Sequence, residues 1–400
     1  MTEIATSAAP HPFADPHGWC RDTVDPNLVQ HGPPVRVPEP SGRTVWLVTR
    51  YDEVRFVLGD PRFGREPMLQ FESPKACPGF YSRATILSTC GPKDHTRLRR
   101  VFNDGLNTTG AAEWRPLAES LVDNYLDRIS KAGSSADLVG QFFDPLLLEL
   151  LSEIIGVPVA DRHRLHRWAA VFHSTVASSD QYEAGMVQTE EYFDDLVRQR
   201  RQHPAADLIS HGLDVANQRG DVTDWDVASL VAGIFSTGIP ALSGQLQIST
   251  YMLLRRPEVV SILREQPQLL GRAVSELLRY TPLIVGPLRA RYVLQDVEVG
   301  GVVLRQGDLV LPSVGAANLD PHAFPNPYDF DIMRDRSPIL AFGFGLHFCQ
   351  AAQFVRMMLT TVVSALTTRF PGIRITVSDE ALRWDPERRT RGFYEMPVSW

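Results

Sequence analysis

The sequence predicts a mainly α protein with small β-sheets, built as a single domain. Three observations predict it. Apolar residues recur at helical spacing from about position 94 to about position 280, with breaks only near 133–135, 156–158, 203–204 and 220–223. Beyond Pro282 the chain becomes β-rich and turn-rich, as in Asp296-Val297-Glu298-Val299-Gly300-Gly301, and helix returns after Cys349. No internal repeat or low-complexity linker divides the 400 residues, and 44% of them are hydrophobic, enough for a large core.

The elements follow in order. Residues 1–20 are expected to form a flexible N-terminal segment ahead of a domain over 21–400. The first sixteen residues are polar and proline-containing, without the apolar core of a signal peptide, so a cytoplasmic protein is expected. Val45-Trp46-Leu47-Val48-Thr49 reads as a strand, 51–58 as a helix, and Gly59-Asp60-Pro61-Arg62-Phe63 as the turn that closes the unit. Residues 66–90 read as irregular, with Pro67, Pro74 and Pro78 among Phe71, Phe80 and Tyr81; loops of this length in compact folds are usually functional or disordered. Residues 230–255 read as one long helix, spanning nearly 40 Å at about 1.5 Å per residue. The tail from Trp384 to Tyr394 reads as a hairpin whose tip offers Thr390 or Arg391 as a polar contact, with Arg388 and Arg389 solvated.

Charge and cysteine usage remove several classes. A net charge of −7 argues against a nucleic-acid partner. Cys20, Cys77, Cys90 and Cys349 lie far apart without ligand spacing, which argues against a disulfide framework or a zinc site. No window reaches the length of a membrane span, so no membrane partner is expected.

The richest segment is Ala341-Phe342-Gly343-Phe344-Gly345-Leu346-His347-Phe348-Cys349-Gln350-Ala351-Ala352. Gly343 and Gly345 permit a tight turn and a close backbone approach. The amides that follow can point at the Cys349 sulfur, and the helix start beyond it places partial positive charge nearby. Such a loop can hold a thiolate against haem iron, where it favours O–O cleavage. The segment resembles the haem-binding signature of cytochromes P450, Phe-x-x-Gly-x-His/Arg-x-Cys-x-Gly. It matches at Phe342, Gly345, His347 and Cys349, and departs at Ala351, where the family has glycine.

The resemblance extends over residues 45–400 and implies the single-domain P450 fold, a triangular helix-rich prism around haem b. Cys349 is then the iron ligand, with Phe342, Gly343 and Ala351 beside it. Glu276-Leu277-Leu278-Arg279 matches the family's Glu-x-x-Arg, a fold determinant, and Arg334 is a candidate to join it. His95 and Arg99 lie four apart on one helical face and match the family's His-x-x-x-Arg, which binds haem propionates. Arg291 and His347 are two further propionate candidates. Arg289 shares a strand face with Arg291 and is assigned equally to substrate or propionate.

One departure carries information. P450s place an acid and an alcohol in the long helix to pass protons to bound dioxygen. The family's threonine lies about sixteen residues before a proline that matches Pro257, which puts Ala241 at the alcohol position and Pro240 at the acid position. Ser236, Thr237 and Ser243 are the nearby hydroxyls left to host water. Pro240 lacks the amide that would bond the Ser236 carbonyl, so the helix is expected to loosen there. Fatty-acid peroxygenase P450s carry an arginine in this helix, and none occurs between Leu230 and Leu254.

Within the family, the chain resembles the actinobacterial group that oxidises cyclodipeptides. The residues are Val45-Trp46-Leu47-Val48, Asp137-Leu138 followed by Asp144-Pro145-Leu146, the altered helix, and the ending Pro397-Val398-Ser399-Trp400. That resemblance implies radical C–C or C–N coupling of an aromatic, possibly tryptophan-containing diketopiperazine. Conventional hydroxylation of a secondary metabolite is the alternative, and a non-catalytic haem sensor the remote one. Phe71, Phe80, Leu87, Phe172, Phe235, Ile239, Leu283, Arg289 and Thr390 are the expected substrate-pocket residues. Dioxygen, a small-molecule substrate, a ferredoxin and its reductase are the expected partners, with Arg97, Arg100 and Arg356 facing the ferredoxin.

Overall fold

The first strands, β1 (Val35–Pro38) and β2 (Thr44–Val48), pair antiparallel with Val35 opposite Leu47 and Pro38 opposite Thr44. This computed structural model describes residues 32–38, 44–66, 85–174, 176–281, 283–284, 289–334, 338–388 and 390–400. The boundary expected at residue 21, together with Phe71, Phe80 and Arg389, lies outside them. After β2 come α1 (Tyr51–Gly59), β3 (Phe63–Gly64), α2 (Ile86–Thr89) and α3 (Pro92–Arg99). Residues 66–90 are therefore not irregular throughout; α2 is a single helical turn, too short to show a period in sequence.

The helical body follows: α4 (Asn103–Leu106), α5 (Thr108–Ala132), the strand β4 (Ser135–Asp137), a π-turn over Val139–Phe143, α6 (Asp144–Ile155), α7 (Arg162–His173), α8 (Ser179–Gln202) and α9 (Leu208–Arg219). Local chemistry sets the ends. The Asn107 side chain caps α5 by accepting from the amides of Thr109 and Gly110, and Ser178 and Gln181 form a capping box on α8. Gly156 ends α6 at φ 97°, a conformation open to glycine.

The long helix α10 (Asp224–Leu254) begins six residues earlier than the apolar pattern indicates. Thr223 and Asp226 form its capping box, which extends the helix through polar residues. Pro240 does not break it; the helix is continuous, contrary to the expected loosening. Proline removes one ladder bond, but α6, α7, α8 and α9 pack around α10 and outweigh that loss. The helix is apolar on nearly every side because it lies in the core, although its length and composition would also suit a membrane span.

Beyond α10 come α11 (Pro257–Glu265) and α12 (Leu270–Tyr280), then β5 (Arg291–Val293), β6 (Val297–Val299), β7 (Val302–Leu304), β8 (Leu309–Pro312) and α13 (Val314–Ala317). The chain ends with α14 (Ala352–Arg369), β9 (Arg374–Ile375) and β10 (Pro397–Ser399). The larger sheet has the order β1-β2-β8-β5-β3, so it joins strands from residues 35–64 to strands from residues 291–312. β10 pairs with β4 and β9, and one apolar core runs from Leu98 to Val398.

Glu276 and Arg279 share a face of α12 and are almost fully buried. Arg279 donates to both Glu276 carboxylate oxygens at 2.8 and 2.7 Å, and to the carbonyls of Asn318, Pro327 and Asp329. Arg334 joins them, with Nε 3.4 Å from Glu276 Oε1. The three residues therefore meet, tying α12 to the 318–334 segment.

Candidate active site

The segment between Leu340 and α14 is a loop held from all sides. Within it, the Gly343 amide donates to Leu340, and the Cys349 amide to Phe342 at 2.9 Å. From outside, Arg289 Nη2 donates to the Ala341 carbonyl at 2.8 Å and Arg99 Nη1 to the Phe348 carbonyl at 2.6 Å. Arg55 lies over the Phe344 ring and Arg356 over the Phe342 ring. Gly343 and Gly345 have φ of 76° and 71°. A Cβ on Gly345 would lie 2.8 Å from both Gly59 Cα and the Leu58 carbonyl oxygen. Gly345→Ala is expected to destabilise the protein by about 1–3 kcal/mol from backbone strain alone, before any overlap. Thermal unfolding of the variant checks this.

Ala351 sits at φ −88°, ψ 14°, where any residue is at ease, so the departure from glycine costs no backbone strain. Burial pushes the Cys349 thiol up; the Ala351 amide pulls it back, and Arg289 and Arg99 add to that pull.

Cys349 opens onto a cavity of about 460 Å³. One wall is a single face of α10, including Gly233, Ile234, Thr237, Gly238, Ala241 and Gln245. The cluster of His95, Arg99, Arg289, Arg291 and His347 also lines it, as do Phe342, Gly343 and Ala351. Among the described residues, no aspartate or glutamate does. Arg291 is 3% exposed. Its Nη1 turns back onto the carbonyls of Arg289 and Ala290, and no acid pairs with it among the described residues. Burial, then Arg65 and Arg289, hold Arg291 well below the usual arginine range. Burial also pulls His95 down to about 4 and, aided by Arg291 and Arg65, His347 to about 2. The His95 and His347 rings pack edge to face, and His95 Nδ1 is buried without a hydrogen-bond partner among the described residues.

These features match known proteins along the whole chain. Residues 157–372 match the Cytochrome P450 family. The chain is 35% identical to mycinamicin IV hydroxylase/epoxidase of Micromonospora griseorubida, over 99% of this chain and 100% of that one. It is 36% identical to nocardicin C N-oxygenase of Nocardia uniformis subsp. tsuyamanensis, over 99% of each. The chain belongs to the cytochrome P450 family. Its fold matches the solved structures of HinD (TM-score 0.87) and the mixed-function P450 MycG (TM-score 0.86). Each is 34% identical, and each match covers 98% of this chain and 100% of the other. It is an oxidoreductase, and the cofactor of the family is haem b.

The P450 cavity fits that cofactor on its own terms. A wall carrying Arg99, Arg289 and Arg291, with no acid among the described residues, suits a group that brings two carboxylates, and guanidinium forks match them. His95 Nδ1 is a buried polar atom still to be satisfied. Cys349 supplies the one thiol on the cavity wall among the described residues.

The structure sorts the remaining sequence candidates by helix geometry. Thr237 and Ala241 lie on the cavity face of α10, but Ser236, Pro240 and Ser243 do not line the cavity. Ser243 donates to Asp144 and accepts from Gln247 at 2.7 Å, so its hydroxyl is committed elsewhere. Phe235 and Ile239 are core residues; Phe235 packs on Phe193, ring centroids 5.8 Å apart. With Ala241 on the cavity face, positions three and four away share it, and 235, 239 and 243 point elsewhere. Leu87, Phe172, Leu283 and Thr390 do line the cavity. Arg289 lines it too, and its guanidinium donates to the Leu340 and Ala341 carbonyls of the Cys349 loop.

The tail forms the expected hairpin. Trp384 pairs with Phe393, Thr390 pairs with Ile284, and Thr390 Oγ1 lies 3.4 Å from the Pro240 carbonyl. Arg388 is not simply solvated; it pairs with Asp385 at 2.7 Å. Arg97 is likewise neutralised, by Asp226 at 3.0 Å and Asp94 at 3.2 Å, which removes it from a free ferredoxin-attracting surface. Sequence reasoning missed His173, Gln245, Thr281 and Arg65 on the cavity wall. Gln245 was within reach of the periodicity argument, one turn beyond Ala241.

Proposed function

We propose that this P450 tailors a natural product by oxidative coupling, joining carbon to carbon or carbon to nitrogen on an aromatic diketopiperazine. One observation carries the reading. On the cavity face of α10, where the family places a proton-relaying alcohol, stands Ala241, and the preceding position is Pro240, off that face. When bound, haem supplies the redox chemistry with dioxygen. Coupling breaks a C–H bond and a second C–H or N–H bond and forms one bond between the fragments. The hydrogens leave as two protons and two electrons. Dioxygen takes these up with two further electrons and two protons, giving two waters. The further electrons come from a ferredoxin and its reductase in the cytoplasm. The substrate itself releases protons, which reduces the demand on the missing side chains.

The rest of the wall fits such a substrate. Leu87, Phe172 and Leu283 supply apolar surface, and Thr390, Thr281 and Gln245 supply a few polar contacts, the usual form of a small-molecule site. Gln245 is held in place by Ser249 and Thr281, each at 2.9 Å. Cys349 and the cationic cluster hold the cofactor, and the α10 face holds the substrate beside it.

A second reading rests on Thr237. Its hydroxyl lies one turn before Ala241 on the cavity face, donating to Gly233 at 2.6 Å with its lone pairs left for water. If that water relays protons, hydroxylation follows. Thr237→Ala separates the two. Under coupling, turnover is expected to stay within about threefold; loss of a needed general acid costs about 10²–10⁴-fold. The deciding experiment titrates cyclodipeptides against the Soret band, then weighs the products of turnover. A mass of two substrates less two hydrogens, or of one substrate less two hydrogens, supports coupling. A gain of one oxygen sinks it.

A further inference from the structure

Gln245 stands one turn beyond Ala241 on the cavity face of α10 and is 4% exposed. One end of its side-chain amide lies 2.9 Å from both Ser249 Oγ and Thr281 Oγ1. Thr281 decides which end that is. A threonine hydroxyl carries a single hydrogen, and Thr281 gives it to the Leu277 carbonyl, which can only accept. Towards Gln245 the hydroxyl therefore accepts, so the amide NH₂ faces it. Both hydrogens of Nε2 are thus committed, and among the described residues nothing donates to Oε1. A buried acceptor left in this state is costly unless a ligand or water completes it.

The surroundings narrow the donor. Haem brings carboxylates, which accept, and pyrrole nitrogens committed to iron, so the cofactor offers Oε1 no hydrogen. Leu278 and Leu283 line the same wall, and Leu283 reaches α10 beside this turn, its Cδ1 3.0 Å from where a Cβ on Gly244 would stand. The partner that fits is an N–H carried on an otherwise apolar body. We propose that Gln245 is a specificity-determining residue whose Oε1 accepts a substrate N–H, and that Thr281 and Ser249 position it by fixing the sense of the amide. A lactam N–H as that donor rests on the diketopiperazine reading; the acceptor itself does not.

The test titrates the haem-loaded protein at the Soret band with two probe pairs. One is the cyclodipeptide of two phenylalanines with its doubly N-methylated lactam form; the other is indole with 1-methylindole. The parent protein is expected to bind the N–H member of a pair about tenfold more tightly, the scale of one buried hydrogen bond left unmade. Gln245→Leu is expected to bind both members alike. Thr281→Val, which frees the amide to turn over, is expected to keep only part of the preference, and it serves as the readable variant if Gln245→Leu does not retain haem. A preference within the indole pair alone supports the acceptor and sinks the lactam as its donor. Equal binding within both pairs by the parent protein overturns the proposal, because Oε1 then holds water only. So does a full preference kept by Gln245→Leu, since the discrimination would be steric, and so does failure of every N–H probe to bind.

Discussion

Cys349→Ser is expected to abolish the reduced carbon-monoxide band at the thiolate position and to leave no measurable turnover, while the protein still folds. The residue is well placed for this separation. Its own amide bonds the Phe342 carbonyl, and the loop is held by Arg289, Arg99 and the two glycines, all independent of the sulfur. Serine preserves the backbone and nearly the volume but not the soft, ionisable ligand. Losing an outer partner of a metal ligand typically costs about 10–100-fold, and loss of the ligand itself exceeds that. Optical spectra of the oxidised and carbon-monoxide-bound reduced forms, with far-ultraviolet circular dichroism as the folding control, check it. An unaltered reduced-CO band would remove the assignment of Cys349.

Arg279→Ala is expected to give the largest loss of stability in the chain. The side chain is 1% exposed and Glu276 is 4% exposed. Removing the guanidinium leaves the buried Glu276 carboxylate with only Arg334, 3.4 Å away, and the Asp331 amide, and leaves the Asn318 and Pro327 carbonyls without the Arg279 donor. Breaking a buried pair from one side costs about 3–5 kcal/mol, a large part of the total stability of most domains. Arg279→Lys is expected to recover only part of this, because an ammonium cannot reproduce the fork to Glu276 together with three carbonyl contacts. Denaturant unfolding of the haem-loaded variants gives the comparison. The double change of Glu276 and Arg279 to well-packed apolar residues is expected to cost less than Arg279→Ala, since the buried carboxylate leaves with its main partner and Arg334 keeps its carbonyl contacts.

The parts of the site legible in the sequence are those whose chemistry is local. The Cys349 loop announces itself because two left-handed glycines, a histidine and a cysteine must occur within a few residues to build it. His95 with Arg99, and Glu276 with Arg279, are legible because helix geometry converts spacing into a shared face. The long helix is legible as an apolar run, but its start is not, because the Thr223–Asp226 capping box lies in a polar stretch. Phe235 and Ile239 read as cavity residues only until the register of α10 is known; apolar identity does not distinguish the face turned to a cavity from the face turned to the core. Arg65 is not legible at all, since its place on the cavity wall follows from β3, which pairs with β5, a strand far away along the chain. Pro240 reads as a helix breaker, and the surrounding helices override it.

The tail hairpin is rooted at one end and exploratory at the other. At its root, the Phe393 amide donates to Gln247 Oε1 at 2.7 Å, and Trp384 stacks on Phe393 with ring centroids 4.1 Å apart. At its tip, Thr390 meets the cavity beside α10, on residues remote in sequence from the Cys349 loop. If the tip contacts substrate, specificity and reactivity are housed in separable parts of one molecule. Evolution, or an engineer, can redraw the tip to admit a differently shaped substrate while the machinery that handles oxygen stays as it was.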